Sequence, residues 1–151
     1  MVLHGAIRKK ILGAIDALNR GDFDTVTNTF LPDAEHAFAG NSCLGGTRHT
    51  SAGRKAWYER LRVVFPGIRF DVDRIYISGS PWNGAVTIEW TTHVTDRAGK
   101  PLVNHGVFVF GLASSKAKSL HVYLDTAEEE RIFAILRSQG VKEVDLPPIN
   151  D

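Results

Sequence analysis

The sequence predicts an α+β fold, with a strongly curved, mostly antiparallel sheet wrapped around N-terminal helices and a helix at the C-terminus. Three observations carry this. Apolar residues recur at helical spacing near the start and again around Trp57, the pattern changes to alternation with a period of two from Ile68 onward, and a capping signal at Asp125 opens one last helix.

Each element has its own signal. Leu3, Ile7, Ile11, Leu12, Ile15 and Leu18 define a first helix that ends at Asn19, Arg20 and Gly21. Asp22 caps a short second helix carrying Phe23, Val26 and Phe30, and Pro32 terminates it. Ala34 to Ala39 is a short strand, followed by a glycine-rich loop from Gly40 to Gly46 that is expected to be mobile. Thr50 or Ser51 caps a third helix whose stripe is Trp57, Leu61, Val64 and Phe65, stopped by Pro66 and Gly67. Ile68, Phe70 and Val72 alternate in one phase and Ile75 and Ile77 in the other, so a bulge is expected at Asp73 or Arg74. Two long hairpins follow. Asp125 and Glu128 make a capping box for a last helix bearing Ile132, Phe133, Ile135 and Leu136, and the tail 141–151 reads as extended.

Composition narrows the partners. The chain has 151 residues, 43% of them hydrophobic, which suits a single domain, 1–151, with a real core. Eighteen basic residues against 17 acidic ones leave no basic footprint for nucleic acid. The lone Cys43 forms no intramolecular disulfide and suits a reducing cytoplasm. No apolar run is long enough to span a bilayer, so no membrane partner is expected. No histidine pair has metal-site spacing and no glycine-rich loop joins a strand to a helix as a phosphate cradle would, so neither metal nor organic cofactor is expected.

The hairpins suggest a pocket. In the strand around Trp90, Thr87, Glu89, Thr91 and His93 share one face and Val86, Ile88 and Trp90 the other. If Thr95 and Lys100 close the turn, Thr91 lies opposite Asn104, Glu89 opposite Gly106 and Thr87 opposite Phe108. A second hairpin through Ser114, Ser115 and Lys116 sets Phe108 opposite Val122 and Gly106 opposite Leu124. The Glu89 face is then apolar with one polar end, as small-molecule sites are. Glu89 is the candidate acid or base, with Gly106 leaving room beside it; the structural alternative is an ion pair with Arg48 or Arg54. His93 is a second proton carrier or a rim residue, and Asn104 and Thr91 either orient substrate or bond each other across the strands. Ala34, His36 and Phe38 share a face, which makes His36 the histidine best placed for chemistry, against the reading of a buried ring satisfied by a carbonyl. Trp57 is a cavity wall or core, with Tyr58 as its alternative. The opposite face, with Ile88, Trp90, Val107, Val109 and Tyr123, is too apolar to leave bare and predicts a homodimer.

Leu18-Asn19-Arg20-Gly21-Asp22, Leu31-Pro32-Asp33-Ala34, Phe65-Pro66-Gly67, Gly79-Ser80-Pro81-Trp82 and Tyr123-Leu124-Asp125-Thr126, in this order, resemble the nuclear transport factor 2-like superfamily across nearly the whole chain. That superfamily includes ketosteroid isomerases, SnoaL-like polyketide cyclases and limonene epoxide hydrolases. The resemblance implies a cone-shaped barrel, usually dimeric, holding a small apolar molecule. It does not bring a catalytic set with it. The isomerase's tyrosine, base and oxyanion-hole positions fall on Ala14, Phe38 and Gly106. The epoxide hydrolase's arginine and aspartates fall on Glu89, Thr91 and Val122, and the cyclase aspartate also falls on Val122. The resemblance implies that Phe38 and the set Glu89, Thr91, Asn104, Gly106, Phe108 and Val122 face the interior. The expected function is proton transfer on a small apolar substrate, such as isomerisation, cyclisation, dehydration or epoxide hydrolysis; the rival is a non-catalytic ligand-binding or dimerisation module.

Overall fold

The computed structural model describes residues 2–151. The first helix, α1 (Val2–Asn19), ends where Gly21 takes a left-handed φ of 72°. Asp22 caps α2 (Phe23–Thr27) by accepting from the Thr25 amide. This helix is shorter than predicted: Phe30 already pairs with Ala117 and opens β1 (Phe30–Phe38), so Pro32 sits in a strand and terminates no helix. The Gly40–Gly46 loop is pinned, with Cys43 and Leu44 buried and its end entering β2 (Gly46–Arg48). Thr50 caps α3 (Ser51–Val64) through the Gly53 amide.

β3 (Arg69–Gly79), β4 (Asn83–Thr95), β5 (Pro101–Ala113) and β6 (Lys116–Leu124) then run as a meander. The predicted bulge is present: pairing of β3 with β4 shifts between Val72 and Arg74. β6 also pairs in parallel with β1, giving a six-stranded sheet in the order β2-β1-β6-β5-β4-β3. Asp125 caps α4 (Thr126–Ser138) through the Glu128 amide. The tail departs from a plain extended run, since Lys142–Asp145 form a 3-10 turn with Val144 buried. Beyond it, Asn150 accepts from the Thr47 amide and Asp151 from the His49 amide, fastening the chain end to β2 and α3. The α+β architecture is the expected one, with α1, α3 and α4 bordering the inner face of a curved sheet.

One register differs from expectation, and it inverts a face. Thr95 pairs with Pro101, not Lys100, so Thr92 lies opposite Asn104, Trp90 opposite Gly106 and Ile88 opposite Phe108. The cause is Asp96. Its Oδ1 accepts from the amides of Ala98 and Lys100, at 2.8 and 2.9 Å, which draws Lys100 into the turn. Because side chains alternate, a slip of one residue moves the whole strand face. Val86, Ile88, Trp90 and Thr92 are therefore buried inside, while Thr87, Glu89, Thr91 and His93 lie on the outer face. The second hairpin has the expected register, with Phe108 opposite Val122 and Gly106 opposite Leu124.

Candidate functional site

Between α1, α3 and the inner face of β1, β5 and β6 lies an apolar cavity of about 160 Å³. Ile7, Ile11 and Ala14 of α1 form one wall, and Phe108, Phe110 and Val122 of the sheet form the opposite one. Its size is close to that of an engineered apolar cavity of about 150 Å³ that binds benzene. At one end Lys10 donates to the Ser115 carbonyl, and Lys116 borders the same rim. Few polar side chains reach the interior, and the deepest are His36 and Tyr58.

His36 is on β1, paired with Arg48 of β2 on one side and Leu120 of β6 on the other. It is fully buried. Arg48 Nε donates to His36 Nδ1 at 3.0 Å. A guanidinium has no acceptor atom, so Nδ1 must be the bare nitrogen and the ring proton sits on Nε2. Burial, followed by the charges of Arg48 and Arg54, holds the His36 pKa well below its ordinary value of 6.5. The ring is neutral, and its Nε2–H has no hydrogen-bond partner. The surrounding rings are Trp57 and Tyr58, 4.7 and 5.7 Å away between centroids. Burial pushes the Tyr58 phenol up as well, so its hydroxyl keeps its proton.

Arg48 holds this arrangement. Besides His36 Nδ1 it donates to the carbonyls of Gly45, Ile149, His36 and Gly46, all between 2.8 and 3.0 Å. Arg54 donates to the carbonyls of Ala34, Leu31 and Pro32. Both guanidinium groups are buried among main-chain carbonyls, and neither is the ion-pair partner of Glu89 considered from the sequence.

The other sequence candidates divide by face. Phe38, Trp57, Phe108 and Val122 are buried and border the interior. Trp57 Nε1 donates to the Leu44 carbonyl at 2.6 Å, which fixes the indole and pins the loop. Asn104 faces inward, but its side chain is occupied: Nδ2 donates to the Asp125 carbonyl and Oδ1 accepts from the His105 amide. Glu89, Thr91 and His93 do not reach the cavity. The Glu89 side chain is 39% exposed on the outer face, where Tyr76 Oη donates to it at 3.2 Å and Arg74 approaches to 4.0 Å. Thr91 donates to Asp73, and His93 lies 3.2 Å from Asp71. Gly106 makes room for the Trp90 indole rather than for a carboxylate, since a Cβ there would lie 2.5 Å from the ring.

A second, smaller space of about 50 Å³ lies beneath α4 and is bordered by Glu129, Trp90, Thr92 and Asn104. Glu129 is buried, and burial pushes its carboxyl up to about 7 against the opposing pull of the Ser42 hydroxyl. Sequence reasoning misses Glu129, which looks like one acid among three at the start of a helix. The available signal is its spacing, since Glu129 falls on the stripe of Ile132, Phe133 and Leu136. Among the described residues no cluster of three His, Cys, Asp or Glu side chains is placed to hold a metal ion, and no helix is long and apolar enough to cross a membrane.

The sequence profile of the SnoaL-like domain matches residues 11–119. No curated protein matches the chain. Among solved structures, TerC co-crystallised with polyporic acid is 21% identical, with a TM-score of 0.72 over 83% of this chain and 96% of TerC. Bal32a from a soil-derived mobile gene cassette is 19% identical, with a TM-score of 0.73 over 83% of this chain and 95% of Bal32a. SalBIII, an epoxide hydrolase/cyclase-like enzyme of pyran ring formation in the polyether salinomycin, is 16% identical, with a TM-score of 0.68 over 85% of this chain and 97% of SalBIII. At these identities the likeness is one of fold. With the profile covering most of its length, the chain belongs to the SnoaL-like domain family.

Proposed function

We propose that this protein takes a small, largely apolar organic molecule bearing a carbonyl or hydroxyl into the cavity and promotes proton transfer on it, with His36 as the polarising group. One observation carries the reading: a buried, neutral Nε2–H without a partner in an otherwise apolar chamber. An unpaired buried donor costs about 1–3 kcal/mol, which a ligand oxygen would return on binding. A neutral imidazole that donates to a carbonyl oxygen stabilises the negative charge that develops there as solvent water takes the α-proton, since no carboxylate borders the cavity. Double-bond isomerisation, aldol-type cyclisation and β-elimination of water from carbonyl compounds pass through such a step.

A non-catalytic binding module is the second reading, and a specific observation favours it. In the 160 Å³ cavity His36 and Tyr58 are both held in their neutral forms and no carboxylate borders it. 2-Tetralone separates the two readings. Stabilisation on adding it, lost in the cavity-filling variant Ala14→Phe, supports the chamber as the binding site; stabilisation that is absent, or unchanged in Ala14→Phe, refutes it. Exchange of its α-hydrogens in deuterated buffer, faster than in buffer alone and lost in His36→Phe, supports catalysis. Binding without exchange leaves the module.

A second copy of the chain is the proposed partner, through the outer sheet face, and a reducing cytoplasm is the proposed location. With Ile88 and Trp90 turned inward, that face offers Tyr76, Val107, Val109 and Tyr123 among polar residues. Sedimentation equilibrium of the wild type against Tyr123→Glu tests it, and a monomer in both refutes it.

A further inference from the structure

We propose that the space beneath α4 is a second polar subsite, in which Glu129 and Trp90 together receive a hydroxyl at the far end of the ligand from His36. The inference rests on the reading of the cavity as a binding chamber and extends it to the kind of molecule bound: an apolar body with a polar group at each end.

Two residues that each carry an unsatisfied buried polar atom border this space. Glu129 is 4% exposed and its Oε1 has no hydrogen-bond partner; Trp90 is 3% exposed and its Nε1–H has none either. Both residues border the same small volume, which is otherwise walled by apolar side chains such as Leu102, Val94 and Ile132. Buried polar atoms are paired in the great majority of cases, so an acceptor and a donor left open beside one space describe a missing occupant. A hydroxyl is the group that answers both, because its hydrogen goes to the carboxyl and its oxygen accepts from the indole. The volume of about 50 Å³ admits the polar end of a molecule and not a second ring. Trp57, Leu61, Phe70, Phe108 and Val122 border both this space and the larger cavity. The proposed ligand reaches from His36 to the Glu129 and Trp90 pair past these shared side chains, and the proposal requires them to move apart. The other polar neighbours are already engaged: the Ser42 hydroxyl bonds the Glu129 carboxyl and accepts from the Leu44 amide, which leaves Oε1 open. Asn104 is engaged with Asp125 and His105, and the Thr92 hydroxyl donates to the Asn104 carbonyl.

The test compares 2-naphthol with 2,6-dihydroxynaphthalene by isothermal titration, using the full chain. In the wild type the second hydroxyl is expected to tighten binding by about tenfold, the scale of one hydrogen bond to a carboxyl group. Glu129→Leu and, separately, Trp90→Phe are expected to remove that gain, read as the ratio of the two naphthols' affinities within each variant. Trp90→Phe keeps the test decisive if Glu129→Leu does not fold. Equal affinities of the two naphthols in the wild type, or a gain that survives in either folded variant, overturn the subsite. The space then holds water alone. If 2-naphthol itself does not bind the wild type, the chamber reading fails and the subsite falls with it. Binding of 2-naphthol without a gain from the second hydroxyl refutes only the subsite.

Discussion

Replacing Glu129 by Gln removes one titrating group from the core while nearly preserving volume, so its effect on stability is fixed mainly by protonation. In the unfolded chain the carboxyl titrates at its ordinary value of 4.5, and in the fold burial pushes it up to about 7. Between those values the native state holds a proton that the unfolded state releases. Stability therefore falls as pH rises through this window, by about 1.4 kcal/mol for each pH unit. The full contrast is about 3 kcal/mol, absent below pH 4.5 and complete above pH 7. Gln carries no such dependence. Urea unfolding of both proteins from pH 4 to pH 8.5 reads the difference directly, because all other titrating groups are common to the two. The difference should move toward Gln by about 3 kcal/mol across the window, or roughly 6–12 °C in Tm for a domain of this size. A difference that stays constant with pH, or that moves toward Glu, refutes a buried carboxyl beneath α4.

Three further outcomes follow from the same structure. Gly106→Ala should cost about 1–3 kcal/mol by overpacking, because its Cβ would lie 2.4 Å from the Tyr123 carbonyl oxygen and 2.5 Å from the Trp90 ring; chemical denaturation checks it, and a neutral result would return Trp90 to the outer face. Arg48→Met should cost at least about 3 kcal/mol, since it strands two buried and two half-buried carbonyls and a ring nitrogen, and it should raise the His36 pKa by removing a neighbouring positive charge, read by 15N NMR of the imidazole. Glu89→Ala should change stability by no more than about 0.5 kcal/mol and leave 2-naphthol affinity unchanged; a tenfold loss would place the ligand on the outer face.

The helices are legible in the sequence because α1 and α3 carry unbroken stripes and end at glycine or proline. The Ser114-Ser115 turn is legible because it is short, with both residues in the left-handed region and Ala113 facing Lys116. The turn before β5 is not. Lys100 could close the hairpin or join the loop, and the choice is made by Asp96 Oδ1 collecting two amides, a contact that spacing does not encode. That single register decides which face of β4 is inside, and with it whether Glu89 or Trp90 meets the interior. Phe30 reads as part of α2 because its spacing from Val26 suits a helix; its partner Ala117 lies 87 residues away and in a parallel strand. His36 is legible as an inward position, but its tautomer is not, since that depends on Arg48 reaching across from β2. Glu129 is hidden by its neighbours Glu128 and Glu130, which are ordinary acids for a helix start.

Whether the ligand's oxygen meets His36 Nε2 inside the cone is tested most directly by a crystal structure of the protein with 2-naphthol. The ring system is expected between α1 and the inner face of β5 and β6, with its oxygen within hydrogen-bonding distance of His36 Nε2 and the Arg48 to Nδ1 contact intact. A naphthol seated instead on the outer face beside Glu89 and His105, or an interior closed by its own side chains, would contradict it.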